Sequence, residues 1–298
     1  MAESALIGLR ALQYVTAAIV LGVPALMIYS AAAVGELKLP WARPAAGWAA
    51  GLLAMAAAAG LAAQTAVMTG SPSEALRPEI LGMMISGTTI GAAYVVRIGL
   101  ALAATIIALS LPPARPLWWA LTGLGVLIAA SFAWTGHGAA TEGAWRWPHL
   151  IADIVHSVAA MVWIGALAAF AMLLSYRAEA RDRFRTATAR ALGGFARIGT
   201  IAVATLVGTG LVNLLALVGF DALGQLVGDP YGALLGFKLL AFTAMLVLAA
   251  VNRFRLTPAF ERSGAGRLRW SVGVELTLGI IVLGLVAVMG VLPPPTSP

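Results

Sequence analysis

His149, Asp153 and His156 stand four and three residues apart within the apolar stretch Trp147-Pro148-His149-Leu150-Ile151-Ala152-Asp153-Ile154-Val155-His156. At 100° per residue of helix they project at about 0°, 40° and 340°, so all three leave one stripe. Two imidazoles and a carboxylate on a shared stripe are metal-ligand chemistry, and this donor set suits several first-row transition metals. Hydrocarbon would not tolerate it. An ionisable group in a bilayer costs on the order of a few kcal/mol, so such a stripe faces a bundle interior or a watery cavity and is a functional-site hypothesis by default.

The elements that must position this stripe follow from composition. Of 298 residues, 61% are hydrophobic and only 10% are charged, well under the roughly 25% of a soluble domain. Apolar runs repeatedly reach the ~20 residues that cross a ~30 Å hydrocarbon core. The fold class is an all-α, polytopic membrane bundle. Its expected spans are Leu6 to Val34, Ala46 to Met68, Ser86 to Leu111, from Arg115-Pro116 to near Thr135, His149 to Tyr176, Phe195 to Gly219, Tyr231 to Val251 and Ser271 to Leu292. The first is too long for a signal-peptide core, despite Ala31 and Ala33 at a cleavage-like spacing, and reads as a retained helix. Residues 1–298 form a single membrane-embedded domain, with helices one to four in 1–135, helices five to eight in 136–292 and a short Pro-rich tail in 293–298.

The chain has no cysteine, which removes disulfides and thiolate metal sites and leaves His, Met and carboxylate as donors. Its net charge of +7 sits in loops rather than on a nucleic-acid-binding face. Arg177, Arg181, Arg183, Arg185 and Arg190 follow the fifth span, and Arg253, Arg255, Arg262, Arg267 and Arg269 follow the seventh. A basic excess marks cytoplasmic loops. The loop between them, with Asp221 and Asp229 and no basic residue, belongs outside. Eight spans then place both termini in the periplasm and open the histidine stripe to the same side.

Polar residues inside the spans gather in the outer half: Gln64, Arg97, Asn213, Lys238, and His137 in Thr135-Gly136-His137-Gly138. The inner half offers Asn252 and Glu275. His149, Asp153 and His156 are the expected metal ligands, with His137 as candidate fourth. Arg97 is expected as a buried ion-pair partner, because a guanidinium keeps its proton. Lys238 either snorkels outward or pairs with Asp153. Glu275, one turn inside the cytoplasmic boundary, reads as a solvated or capping carboxylate or as a relay. Met83 and Met84 are candidate accessory donors, and Trp163 reads as a packing anchor.

Several segments in this order resemble the CopD/PcoD copper-resistance family of bacterial inner-membrane proteins. They are Gly136-His137, His156 through Leu167, Gly210-Leu211-Val212-Asn213, Tyr231 through Leu239, Asn252-Arg253-Phe254, and Arg269-Trp270-Ser271-Val272 with Glu275. Looser likeness extends to Leu9-Arg10-Ala11-Leu12 and Gly91 to Arg97. The resemblance implies an eight-helix plasma-membrane protein that moves copper from periplasm toward cytoplasm, with a periplasmic CopC-type copper carrier as partner. The His/Asp donors suit Cu(II) or a mixed site better than thioether capture of Cu(I).

The expected function is therefore copper transport, with a copper ion entering onto His149, Asp153 and His156, and no enzymatic reaction. Passage onward would use polar steps toward Glu275 and Asn252. The chain carries no Gly-x-x-x-x-Gly-Lys-Ser/Thr signature, so movement would be passive, ion-coupled or potential-driven. Protons compete with metal for imidazole, and binding should weaken below about pH 6 to 6.5. Two other classes stay open: a haem b electron-transfer protein with histidine axial ligands, and a structural or docking partner for a periplasmic copper chaperone.

Overall fold

Runs of alanine, leucine, valine and glycine broken by proline and short polar segments dictate long helices, because in lipid every backbone polar group must be satisfied within its own segment. The structure is a computed structural model that describes residues 1–30, 39–139, 141–176, 182–220 and 222–293, with the backbone alone described at 137, 182, 183 and 261–263. The arginines at 177, 181, 183 and 262 and Asp221, on which part of the expected orientation rests, lie outside the described residues or side chains, as does the 294–298 tail.

Eight helices among the described residues are long and apolar enough to cross a membrane. They are α1 (Ala2–Tyr29), α2 (Ala42–Thr69), α4 (Thr89–Ser110), α5 (Arg115–Ser131), α6 (Arg146–Ser175), α7 (Asp182–Val218), α8 (Pro230–Val251) and α10 (Gly266–Met289), with short helices α3 (Pro78–Gly87) and α9 (Thr257–Ser263) between. The expected all-α bundle of eight spans is thus the observed one. Most of the short helix α3 lies between the second and third expected spans. Thr88 ends it and caps α4, its hydroxyl accepting from Gly91 N at 2.9 Å. Asp229 caps α8 the same way, accepting from Tyr231 N at 2.7 Å, with Pro230 at the first helical position, where its missing N–H costs nothing.

Helix α1 is the centre of the molecule and packs against α2, α5, α6 and α10. Its contact with α6 is the tightest. A Cβ on Gly22 would lie 2.1 Å from the Gly165 carbonyl carbon, and one on Gly165 would lie 2.1 Å from Ala18 O. Backbone meets backbone there, as small residues permit where helices have no hydrophobic drive to associate. Around this crossing the core is built largely of alanine, including Ala17, Ala18, Ala49, Ala50, Ala104 and Ala169. Helix α8 is peripheral, with only Tyr231, Ala241 and Met245 buried.

Arg10 joins the two ends of the chain. Its guanidinium donates to Gly290 O at 2.8 Å, to Gln64 Oε1 at 3.0 Å and to Thr135 O at 3.3 Å. The start of α1, the end of α2, the end of α5 and the end of α10 therefore share one face of the bundle. At the opposite face Arg253 reaches back to Ala196 O and Thr200 Oγ1 on α7, and Arg185 approaches Phe260 O.

Candidate functional site

The part of α6 from His149 to Ile164 and the irregular segment before it make one wall of a cavity of about 190 Å³. His149, Asp153 and His156 all line it, with Asn213 of α7, Lys238 of α8 and Arg10 and Tyr14 of α1. The helical stripe is thus a cavity wall. His149, in the first turn of α6, is 1% exposed.

Short 3₁₀ turns, Phe132–Thr135, His137–Ala139 and Gly143–Trp145, bring the chain back over this wall. Gly138 is what lets it come close. A Cβ there would sit 2.6 Å from Asp153 Oδ2, so the Gly136-His137-Gly138 backbone lies directly against that carboxylate. The side chain of His137, the candidate fourth ligand, lies outside the described residues.

Two threonines orient the histidines. Thr141 Oγ1 is 2.7 Å from His149 Nδ1, and Thr209 Oγ1 is 2.9 Å from His156 Nδ1. At His156 the direction of that bond can be worked out. A hydroxyl has one hydrogen, and Thr209 donates it to Thr205 O at 2.6 Å. Its oxygen must therefore accept from His156 Nδ1–H. Neutral His156 then carries its lone pair on Nε2, the arrangement that outer hydrogen bonds impose on metal-binding imidazoles. Gly210 packs beside the ring, where a Cβ would stand 3.6 Å from His156 Cε1, an ordinary contact distance.

As they stand, the described residues include no group of three His, Asp or Glu side chains close enough together to hold one metal ion. The donors line a cavity rather than preform a shell. Lys238 faces the same cavity as Asp153, but no ion pair joins them among the described residues, where Arg77 makes the two ion pairs, with Glu74 and Glu79. Asn213 presents a buried Oδ1 that has no partner among the described residues.

Arg97 corrects an expectation. Buried to 1% exposure, it pairs with no carboxylate among the described residues. It donates instead to Ser131 Oγ, Ser131 O and Gln13 Oε1, each at 2.9 Å, and to Thr135 Oγ1 at 3.2 Å, with its Cζ 3.9 Å from the centre of the Phe132 ring. Neutral acceptors and an aromatic face satisfy the cation, and it fastens α4 to α1 and α5. Met83 and Met84 lie on α3, away from the cavity. Met83 is exposed, while Met84 packs with Ala57, Leu61 and Tyr94.

Glu275 is neither solvated nor a cap. It is 2% exposed and accepts from Trp163 Nε1 at 3.1 Å and Asn252 Nδ2 at 2.8 Å. Asn252 opens a π-helical turn, Asn252–Leu256, which carries it to α10. Trp163, expected as an anchor, is a hydrogen-bond donor to a buried carboxylate.

Comparison with known proteins bears on this arrangement. A family model described as "Copper resistance protein D-like, N-terminal domain" matches residues 1–147, and one described as "Copper resistance protein D" matches residues 189–289. Copper resistance protein D of Pseudomonas syringae pathovar tomato is 41% identical over 223 residues, 71% of this chain and 71% of that protein. The chain belongs to the copper resistance protein D family. Inner membrane protein YebZ of Escherichia coli K12, 27% identical over 245 residues, is matched over 80% of this chain and 81% of its own length. Copper transport protein CutJ of Bacillus subtilis strain 168 is 32% identical over 174 residues, 58% of this chain but 30% of CutJ. No solved structure matches. With its eight spans, this family member is a multi-pass inner-membrane protein. Its α6 stripe falls between the two stretches that the family models match.

Proposed function

We propose that this copper resistance protein D family member binds copper in the α6 cavity and carries it across the inner membrane, from the periplasm toward the cytoplasm. One observation carries the reading: the imidazoles and carboxylate of His149, Asp153 and His156 line a single cavity inside a membrane-spanning bundle. Thr209 holds His156 with Nε2 as its donor. Relatives named for copper resistance and copper transport support copper as the cargo.

Copper is bound by His149, Asp153 and His156, and His137 completes the set from the turn packed on Asp153. Neutral imidazole lone pairs fit a borderline metal, and the Asp153 charge offsets part of the ion's own. The ligands close onto the ion on binding. The basic loops beyond α6 and α8 support a cavity that opens to the periplasm, where a CopC-type carrier delivers the ion.

The test is copper uptake into vesicles holding the purified full-length protein. Saturable uptake in wild type that is lost in His149→Ala/His156→Ala is the expected result. Equal rates in the two proteins would overturn the assignment.

A further inference from the structure

Trp163 stands seven residues after His156, two turns further along the same face of α6, and there it lines a second cavity of about 290 Å³ with Asn252, Arg253 and Glu275. Around it the wall is mainly apolar, with Phe170, Phe195 and Leu246 among its residues. Among the described residues the Glu275 carboxyl is held by two neutral donors, Trp163 Nε1 and Asn252 Nδ2. Arg253 is the other charged residue on this wall, and its guanidinium is turned to Ala196 O and Thr200 Oγ1 on α7. The residues that α6 and α7 contribute to the wall carry no charge, nor do the remaining ones of α8 and α10. A carboxylate buried in a bilayer without a cationic partner is costly as a bare anion, so a carboxyl there that gains and loses a proton is a functional-site hypothesis.

Beside it are oxygens with nothing to accept. Asn252 Oδ1 and Ser271 Oγ are both buried without a partner among the described residues, and Ser271 lies one helical turn before Glu275. The Asn252 amide can therefore serve the carboxyl in either state. With Glu275 ionised, Asn252 Nδ2–H donates to it across 2.8 Å. With Glu275 protonated and the amide turned over, the carboxyl O–H donates to the now unpartnered Oδ1 across the same gap.

We propose that Glu275 is an exchangeable proton site, and that its proton is the ion coupled to cation movement at the α6 cavity. The proton leaves the carboxyl O–H for water in the second cavity, leaving the carboxylate, and returns from the same side. No other bond changes. Trp163 transmits the change, because its indole joins Glu275 to the helix that carries His149, Asp153 and His156. The coupling rests on the transport function proposed above; the proton site does not.

Infrared difference spectra of the full-length protein in lipid, recorded over a pH series, test the site directly. A protonated-carboxyl C=O band should appear on acidification in wild type, vanish in Glu275→Gln, and shift in Trp163→Phe and Asn252→Ala, each of which deletes one hydrogen bond. A band that survives Glu275→Gln, or stays unshifted in the other two variants, overturns it. These two variants keep the carboxyl and decide the matter should Glu275→Gln fail to fold. For the coupling, a pH gradient should accelerate copper uptake into wild-type vesicles and leave Glu275→Gln uptake unchanged. Equal acceleration in both removes the coupling. A Glu275-dependent band in a protein that moves no copper leaves the proton site standing and removes transport and coupling together.

Discussion

Thr209 gives His156 its direction, since a hydroxyl already committed to Thr205 O can only accept from the ring. Thr209→Val should release the imidazole and lower copper affinity by about 10- to 100-fold, the usual cost of losing an outer hydrogen bond at a metal site. Thr209→Ser should stay near wild type, and titration against a competing chelator measures both. Acidification acts on the same donors: each proton taken up by an imidazole removes a lone pair, so affinity is held on the alkaline side and falls as pH falls. The same titration repeated at several pH values checks that sign. His149, Asp153 and His156 were legible in the sequence because ionisable residues at helical spacing stand out in an apolar run. Thr141, Thr209 and Arg10 were not, because a threonine or a terminal arginine is unremarkable until another helix is packed against it. Arg97 was misread for a related reason: sequence shows the buried cation but not the serine, threonine and glutamine oxygens that other helices bring to it.

At the scale of elements, the crossing of α1 and α6 sets where the stripe sits. With a Cβ on Gly165 falling 2.1 Å from Ala18 O, Gly165→Ala must separate two backbones, since no flexible side chain is there to yield. Overpacking of this kind destabilises by about 1–3 kcal/mol, and thermal unfolding in detergent should show a lowered Tm together with weaker copper binding, because α6 is displaced as a body. Gly8→Ala, where nothing lies within 4 Å of the added atom, is the matched control with little change. The eight spans were legible because length and hydropathy alone decide them. Helix α3, the 3₁₀ turns over the cavity and the π-helical turn at Asn252 were not, being short and fixed by contacts with distant segments.

For the whole molecule, the Arg10 bond to Gly290 O places the start of the first span and the end of the last on one face, and the basic residues Arg185 and Arg253 stand at the other. The positive-inside rule then predicts which face meets the cytoplasm. Because the chain has no cysteine, single substitutions report this cleanly. An impermeant thiol reagent applied to intact cells should label Gln225→Cys, before α8, and should reach Arg267→Cys, at the start of α10, only after the inner membrane is opened. The reverse pattern would invert the direction of transport.

Copper content of the purified protein tests the central claim most directly. Wild type loaded with copper and analysed by mass spectrometry should hold near-stoichiometric metal, with a visible spectrum free of a haem Soret band, and His149→Ala/His156→Ala should lose it. Equal copper in both proteins, or none in wild type, would contradict the assignment of the α6 cavity as the copper site.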